Sequence, residues 1–281
     1  MKWVVPVTKN PRSGPGARFY SPAMSITLEN RIAVITAAGR GIGRASALEF
    51  AAAGATVVLG DVDGDSVSGV ASEIVAAGGR ALAMPCDVTS AEQVADLVHA
   101  ATSTYGRLDI LFNHAGGSSP GPLHEMSVER FEHLVDLNLG SMFYGVRAAL
   151  PIMIDQGAGT IVSTTSGAGL GAVRGLAVYG AAKAGMIALT RSIAAEYGGL
   201  GIRANVISPG SMDTAGFRGW LDALPGSDRD YFEQIPSGRL GVAADIAKVA
   251  CFLASDYSAY VNGVTVPVDG GIAGLLAIPH V

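Results

Sequence analysis

The chain has 281 residues, a formal net charge of −5, 49% hydrophobic residues and 15% charged residues. At roughly 100–200 residues per domain, this length allows one or two domains with a large apolar core, which excludes a disordered or fibrous chain. The acidic balance and the lack of a Lys/Arg run argue against a polyanion held by bulk charge, so we expect no nucleic-acid partner.

Apolar runs and metal-binding residue types narrow the class further. No run of 18 or more apolar residues continues without a charge, Gly or Pro, so we expect no membrane partner. Cys86 and Cys251 are far apart, and the five histidines have no metal-ligand spacing. We therefore expect a cytoplasmic protein with no metal.

Residues 1–24 differ from the rest of the chain. Four prolines break any periodicity there, and no acidic residue precedes Glu29. We interpret this stretch as an N-terminal extension, with Met24 as an alternative start. A targeting segment is the less favoured alternative, because the apolar run is short and contains a proline.

From Arg31 onward, short β-branched runs alternate with helical patterns. The predicted strands are 31–36, 56–61, 81–88, 108–113, 160–165, 202–208 and 264–268. The predicted helices are 42–53, one ending at Gly78, one opened by a Thr89–Glu92 capping box, 127–150, 178–197 and 243–254. Because parallel strands need crossover helices, residues 25–281 are predicted to form a single α/β domain, a doubly wound parallel sheet (Rossmann fold) with helices on both faces.

A glycine-rich turn follows the first predicted strand and leads into a helix. It runs through Ala37, Gly39, Arg40, Gly41, Ile42 and Gly43. Glycines there let the backbone approach a pyrophosphate and aim helix N-terminal amides at it. The turn therefore predicts a dinucleotide coenzyme.

Asp61 ends the second predicted strand, 18 residues after Gly43. A carboxylate at this distance accepts from the adenosine ribose and repels a 2′-phosphate, so NAD is favoured. Arg40 is the opposing observation, because a guanidinium beside the turn suits the 2′-phosphate of NADP, although stacking on the adenine or a position in solvent fits it equally well.

Tyr179 and Lys183 are one turn apart on a predicted helix, about 6 Å along its axis. An ammonium at that position is expected to lower the pKa of the Tyr179 phenol toward working pH, which suits a general acid/base for an alcohol/carbonyl pair. Ser166 lies 13 residues earlier, at the carboxyl end of a predicted strand, where its hydroxyl is placed to hold the substrate oxygen.

These motifs, in this order, resemble the short-chain dehydrogenase/reductase family from Ile32 to Gly271. The matching pieces are Gly41–Gly43, Asp87–Val88, Asn113–Gly116, Asn138, Ser166, Tyr179 with Lys183, Pro209–Thr214 and Val268–Gly271.

The resemblance implies a role for each matching residue. Tyr179 would be the acid/base, Ser166 would stabilise the reacting oxygen, Lys183 would bind the nicotinamide ribose, and Asn138 would hold a water in the proton relay. The coenzyme-binding set would be Ala37, Gly39, Arg40, Gly41, Ile42, Gly43, Asp61, Val62, Asp87, Val88, Asn113, Ala115, Gly116, Tyr179, Lys183, Pro209, Gly210, Met212 and Thr214. Family members are usually homotetramers, and we expect the same here.

Two residues depart from the family pattern. Ala37 replaces the first glycine of the turn, which adds a methyl group and restricts φ. His114 replaces the more usual second Asn of Asn-Asn-Ala-Gly, and we interpret it as a hydrogen-bonded structural imidazole.

The sequence signals for the substrate-binding residues are less specific than those for the coenzyme and the catalytic residues. Residues 215–235 correspond to the family's substrate lid, and packing of a two-turn helix on the core is the alternative interpretation. The predicted substrate residues are Ser118, Ser166, Arg174, Phe217 and Trp220, and Arg218 is a further guanidinium that could meet a carboxylate.

Three functions follow from the sequence. The favoured one is an NAD-dependent oxidoreductase acting on a small-molecule secondary alcohol or ketone. The alternatives are an NADPH-dependent 3-oxoacyl-thioester (acyl-carrier-protein) reductase, motivated by Arg40, and a non-catalytic nucleotide-binding regulator.

Overall fold

Seven parallel strands form one sheet in the computed structural model, which describes residues 26–222 and 232–275. In space they are ordered β3-β2-β1-β4-β5-β6-β7. The strands are β1 (Ile32–Thr36), β2 (Thr56–Asp61), β3 (Arg80–Pro85), β4 (Ile110–Asn113), β5 (Gly159–Thr164), β6 (Ile202–Pro209) and β7 (Thr265–Val268). The chain order reverses between β1 and β4, and the carboxyl ends of the strands open a crevice at such a point.

Helices cover both faces of the sheet, as the crossovers of a parallel sheet require. They are α1 (Gly41–Ala52), α2 (Gly64–Ala76), α3 (Ala91–Tyr105), α4 (Val128–Val135), α5 (Ser141–Gln156), α6 (Ala177–Tyr197), α7 (Ala215–Asp222) and α8 (Ala243–Ala254). One core cluster joins the sheet to α1, α2 and α8, and the other joins it to α3, α5 and α6. The predicted doubly wound α/β fold is confirmed.

The predicted capping box at the N-terminus of α3, Thr89–Glu92, is wrong. Ser90, not Thr89, caps the helix, and its hydroxyl accepts from Gln93 N. The Thr89 hydroxyl instead donates to Asp87 Oδ1 over 2.8 Å. Glu92 therefore takes no part in a capping box. β3 ends at Pro85, before the predicted end at Val88.

The single helix predicted over 127–150 is also interrupted. A π-helical segment, Asp136–Gly140, separates α4 from α5, and Asn138 lies in it. π-segments are rare and occur frequently at functional sites. The apolar periodicity continues through this segment, so the sequence pattern does not reveal it.

The stretch Val128–Gln156 is long and apolar enough to cross a membrane by length and composition. In the fold it is a covering layer, because residues spaced along α5, among them Met142, Val146 and Met153, are buried against the sheet and the neighbouring helices. That packing explains part of its apolar content, whereas Phe143 and Ile154 on its outer face are exposed.

Several predicted features lie outside the described residues. They include the N-terminal extension 1–24, positions 223–231 of the lid, and the last six residues. The side chain of Trp220 is also outside the description, although its backbone belongs to α7.

Candidate active site

The glycine turn joins β1 to α1 through close backbone contacts. A Cβ at Gly43 would overlap the carbonyl oxygen of Ala37, so only glycine fits there. Gly41 has φ +56° and open space where a side chain would be. Ala37 also has a positive φ, +52°, a conformation that costs an alanine more than a glycine.

The N-terminus of α1 is open to a ligand. Arg40 is its N-cap residue, no side chain caps it, and its first turn contains no acidic residue. The amides of the first turn are therefore left without side-chain acceptors, at the positive end of the helix dipole. This arrangement, with the open space at Gly41, fits the pyrophosphate of a dinucleotide.

Asp61 is fixed beside this turn at the end of β2. Its two carboxylate oxygens accept from Gly39 N at 2.9 Å and from Asp63 N at 3.0 Å. The side chain is buried, whereas the next residue, Val62, is 71% exposed. The guanidinium of Arg40 is exposed and contributes to lowering the pKa of Asp63, after the Ser66 hydrogen bonds.

Asp87 and Val88 follow β3 on the same edge. Thr89 donates to Asp87 through both its amide and its hydroxyl, and these bonds hold the pKa of Asp87 below its usual value. Val88 is buried and Asp87 is exposed. These two residues and Val62 are placed at the β2 and β3 ends of the crevice.

The segment after β4 is held by β1. The hydroxyl of Thr36 accepts from the amides of both His114 and Ala115, at 3.0 and 3.2 Å. Gly116 follows, and a Cβ there would lie 3.0 Å from Lys183 Nζ. Ala115 and Gly116 thus lie between the glycine turn and the α6 side chains.

The side chain of Asn113 lies at the end of β4. It is buried, Nδ2 donates to Ser163 Oγ at 3.4 Å, and Oδ1 faces Gly145 of α5. The side chain therefore supports the packing of β4, and the predicted role of Asn113 on the coenzyme side stays a prediction.

His114 lies below the turn, with Nδ1 3.1 Å from the hydroxyl of Thr164. Its ring stacks on Phe112, with 5.7 Å between ring centres. Burial, followed by the charge of Lys183, lowers the pKa of His114 to about 3. The side chain is a neutral imidazole at physiological pH, which agrees with the structural interpretation.

Asn138 connects the π-segment to the loop after β4. Its Oδ1 accepts from Gly117 N, and its Nδ2 donates to Gly117 O and Leu134 O, both at 2.9 Å. Two of these three bonds hold Gly117, and the third holds the amide to its own helix. The predicted role in a water relay stays a prediction.

Ser166, Tyr179 and Lys183 come together at the carboxyl end of β5. The Ser166 hydroxyl acts on the Tyr179 phenol and by itself lowers its pKa, and the Ser166 oxygen accepts from Ala168 N at 3.2 Å. Lys183 Nζ lies 5.6 Å from the centre of the Tyr179 ring and donates to Thr164 O at 2.9 Å. This is the predicted constellation of alcohol, phenol and amine.

The predicted electrostatics of Tyr179 are wrong. Burial raises the pKa of Tyr179, and this effect exceeds the lowering by the Ser166 hydrogen bond. Burial also lowers the pKa of Lys183 to about 7, so the amine has lost much of its charge at neutral pH. A partly neutral amine directed at a carbonyl does not stabilise a nearby phenolate as a full ammonium would.

The segment after β6 passes close to the end of β7. Gly210 N donates to Val268 O, and a Cβ at Gly210 would lie 2.6 Å from Asp269 Cα. Met212 is buried and paired with Gly241, and the Thr214 hydroxyl accepts from Phe217 N at the start of α7. Pro209 ends β6, so this stretch lies on the crevice edge.

The substrate-side residues are distributed around the same edge. Ser118 and Arg174 are exposed in the loops after β4 and β5. Arg218 forms an ion pair with Asp213, with Nε and Oδ1 2.8 Å apart, so its guanidinium already has a carboxylate partner. Sequence reasoning overlooked Arg130, whose contacts with residues 119–121 leave no sequence signal.

A family model described as enoyl-(acyl carrier protein) reductase matches residues 36–273. The chain is 38% identical over 248 residues to 2,5-dichloro-2,5-cyclohexadiene-1,4-diol dehydrogenase LinX of Sphingobium indicum, covering 88% of this chain and 98% of the relative. It is 35% identical to the 3-oxoacyl-[acyl-carrier-protein] reductase FabG of Thermotoga maritima over 246 residues, 87% and 98% of the two chains.

Solved structures of similar fold point to the same class of protein as the sequence relatives. A 7α-hydroxysteroid dehydrogenase complexed with NADH and 7-oxo glycochenodeoxycholic acid matches with TM-score 0.83 and 35% identity, covering 88% of this chain and 95% of that one. A Beutenbergia cavernae protein assigned as an NAD(P)-dependent gluconate 5-dehydrogenase, with bound NADP, matches with TM-score 0.83 and 34% identity, over 89% and 99%. The chain belongs to the short-chain dehydrogenase/reductase family of oxidoreductases that act on CH–OH groups.

Proposed function

We propose that this enzyme interconverts a small-molecule secondary alcohol and its ketone, with NAD as the favoured coenzyme and Tyr179 as the general acid/base. The observation that carries the proposal is the meeting of three side chains at one place: Ser166 acts on the Tyr179 phenol, and the buried Lys183 has its Nζ 5.6 Å from the centre of the Tyr179 ring. These groups lie at the carboxyl end of β5, where ligands of this fold bind.

The residues that would hold the coenzyme fit that group. The uncapped N-terminus of α1 and the open space at Gly41 suit its pyrophosphate, and the carboxylate of Asp61 beside the turn supports a contact with the adenosine ribose. When bound, the coenzyme accepts a hydride from the carbinol carbon or returns one to a carbonyl carbon.

The side chains of α6 and β5 perform the proton chemistry. In the oxidation direction, Tyr179 takes the hydroxyl proton of the alcohol, and in reduction it returns that proton to the ketone oxygen. The Ser166 hydroxyl acts at the same place and supplies a donor for the charge that develops on the reacting oxygen. Ala168 N fixes the Ser166 hydroxyl for this task.

The preference for NAD rests on Asp61. Its carboxylate is held in place by the backbone amides of Gly39 and Asp63, whereas the Arg40 side chain is exposed and its charge acts on Asp63. A fixed negative charge repels a 2′-phosphate, and a mobile exposed arginine compensates it incompletely.

Assembly and compartment are part of the same proposal. The outer faces of α5 and α6 form a groove of about 360 Å³ where Phe143 is 49% exposed and Ile154 is 37% exposed. Burial of this apolar face favours a homotetramer, and light scattering that gives a monomer mass would contradict it. The free buried thiols of Cys86 and Cys251 are compatible with a cytoplasmic location.

An NADPH-dependent 3-oxoacyl-thioester reductase is the second candidate. It is favoured by Arg40 and by the similarity to the Thermotoga maritima reductase. This function also needs a basic surface for an acidic carrier protein, and the net charge of the whole chain is −5.

The test is a turnover screen that follows reduced-nicotinamide absorbance. Cyclic and acyclic secondary alcohols are assayed with NAD and NADP, and the matching ketones and an acetoacetyl thioester with NADH and NADPH. Alcohol oxidation with NAD supports the proposal. Turnover restricted to the thioester and NADPH selects the second candidate, and no turnover with any pair favours a non-catalytic regulator.

A further inference from the structure

Arg130 on α4 is hydrogen-bonded to the loop that follows β4. Its Nε donates to Ser119 Oγ and its Nη2 donates to Pro120 O, both over 2.8 Å. The guanidinium also covers Gly121, because a Cβ there would lie 3.5 Å from Nη1 and 3.6 Å from Nη2. One side chain thus binds two consecutive residues of this loop and lies over the space beside the third.

The loop after β4 is joined in turn to the loop before α6. Gly121 N donates to Gly175 O over 3.0 Å. Gly175 follows Arg174 and lies four residues before Tyr179. We call residues 117–121 and 170–176 the two mouth loops, since both leave the carboxyl ends of strands that border the crevice.

The opposite end of the first mouth loop is fixed by Asn138, which binds both the amide and the carbonyl of Gly117. Between these anchors only Ser118 is exposed without a partner among the described residues. The loop is therefore held from one helical stretch at two points, Asn138 near the chemistry and Arg130 at the outer edge.

We propose that Arg130 is a positioning residue for the substrate. It fixes the first mouth loop, and through the Gly121–Gly175 bond it fixes the second one beside Tyr179. The inference rests on the proposed function, because it takes the mouth loops to be the walls of the substrate site.

The guanidinium suits this task for a geometric reason. Its fork makes two directed bonds at once, to a hydroxyl and to a carbonyl, which a lysine cannot reproduce. Gly121 and Gly175 have no side chains of their own to hold the loops, and Gly175 has φ +78°. A single amide–carbonyl bond between two glycines contributes little net stability by itself.

Arg130 is not a core residue. It belongs to neither hydrophobic cluster, and the cap of α4 is the bond from its main-chain amide to Ser127 Oγ, which any substitution except proline retains. Removal of its side chain should therefore loosen the mouth loops and leave the sheet intact.

The test compares Arg130→Met with Arg80→Met. Arg80 is an exposed arginine at the start of β3, on the outer edge of the sheet. Hydrogen exchange is measured for peptides covering residues 117–122 and 170–176, where the Gly121 amide is the direct reporter. Kinetics with the best alcohol and direct coenzyme titrations are measured on the same preparations.

We expect faster exchange at both mouth loops in Arg130→Met and unchanged exchange in the strands. The KM for the alcohol should rise about tenfold, while kcat changes less than about threefold and the Kd for coenzyme does not change. Ser119→Ala, which deletes one of the bonds, should shift exchange and KM in the same direction by less. Arg80→Met should behave like the unmodified enzyme.

Unchanged exchange at residues 170–176 would overturn the inference, as would faster exchange with an unchanged KM. An Arg130→Lys variant with normal exchange would show that charge alone is sufficient and would also overturn it. The exchange measurement needs no substrate. If the turnover screen fails, it still decides whether Arg130 holds both loops, so failure of the proposed function and failure of this inference are separable.

Discussion

The amino group of Lys183 donates a hydrogen bond to the main-chain oxygen of Thr164 over 2.9 Å. The hydroxyl of the same threonine contacts His114 Nδ1. One residue at the end of β5 therefore binds both basic side chains of the site. Burial lowers the pKa values of both, to about 7 for Lys183 and about 3 for His114.

The depressed pKa of Lys183 predicts how stability changes with pH. The unfolded lysine keeps its proton up to its ordinary pKa of 10.5, whereas the folded one loses it near 7. Between these values the unfolded state binds more protons, so the free energy of unfolding rises with pH, by at most about 1.4 kcal/mol per unit. Well below pH 7 the lysine is protonated in both the folded and the unfolded state, so it adds no pH dependence there.

The Lys183→Met variant has no amine at this position, so its free energy of unfolding should not show this rise with pH. Urea denaturation of both proteins between about pH 7 and pH 9 should show an increasing difference in favour of the unmodified chain. A difference that is constant over this range would mean that Lys183 keeps its proton in the fold.

His114 predicts acid sensitivity. Its folded pKa lies below the ordinary value of 6.5, so the unfolded state takes up a proton first as the pH falls. The free energy of unfolding should fall from about pH 6.5 downward, and His114→Asn should lose this part of the dependence. His99→Asn, at an exposed position on α3, is the control. Equal acid dependence in His114→Asn and the unmodified chain would contradict the burial argument.

Ala37 predicts an unusual glycine substitution. Because Ala37 has φ +52°, Ala37→Gly relieves a conformation that L-residues adopt at a cost. Glycine also loses more entropy on folding, so the net effect should lie between zero and a gain of about 1 kcal/mol. Ala38→Gly, at a fully buried core position next to it, should destabilise the protein. Thermal or urea unfolding that ranks the two variants equally would be inconsistent with this account.

Asp61 predicts a change of coenzyme preference. Asp61→Ser removes the fixed carboxylate, so the ratio of the Kd for NADPH to the Kd for NADH should fall by about tenfold or more. Asp65→Asn removes the same charge from an exposed position on α2 and should leave that ratio unchanged. Fluorescence titration of the three proteins measures both constants. An Asp61→Ser enzyme with the original ratio would assign the preference to other residues.

The features that depend on local sequence patterns, and on the order of those patterns along the chain, were predictable. The alternation of strands and helices gave the sheet, because each strand is a short apolar run that must be buried on both faces. The spacing of Tyr179 and Lys183 placed both on α6, because helical geometry fixes which residues share a face. The glycine turn was predictable for the same local reason.

What could not be predicted depends on contacts between distant parts of the chain. The π-segment around Asn138 is invisible to apolar periodicity, and the opposite direction of the Tyr179 pKa depends on burial that only the packed fold creates. The direction of the Asn113 side chain, toward α5, likewise depends on how the strand packs. The hydrogen bonds of Arg130 join residues that no sequence motif relates.

Turnover and coenzyme binding by Tyr179→Phe test the central claim most directly. The substitution removes only the phenolic oxygen, so the fold and the glycine turn should remain and NADH should bind with unchanged affinity. The account predicts that turnover of the best alcohol falls by about 10³-fold or more, because the acid/base is lost. A Tyr179→Phe enzyme with full turnover would show that the proton is transferred elsewhere and would contradict the account.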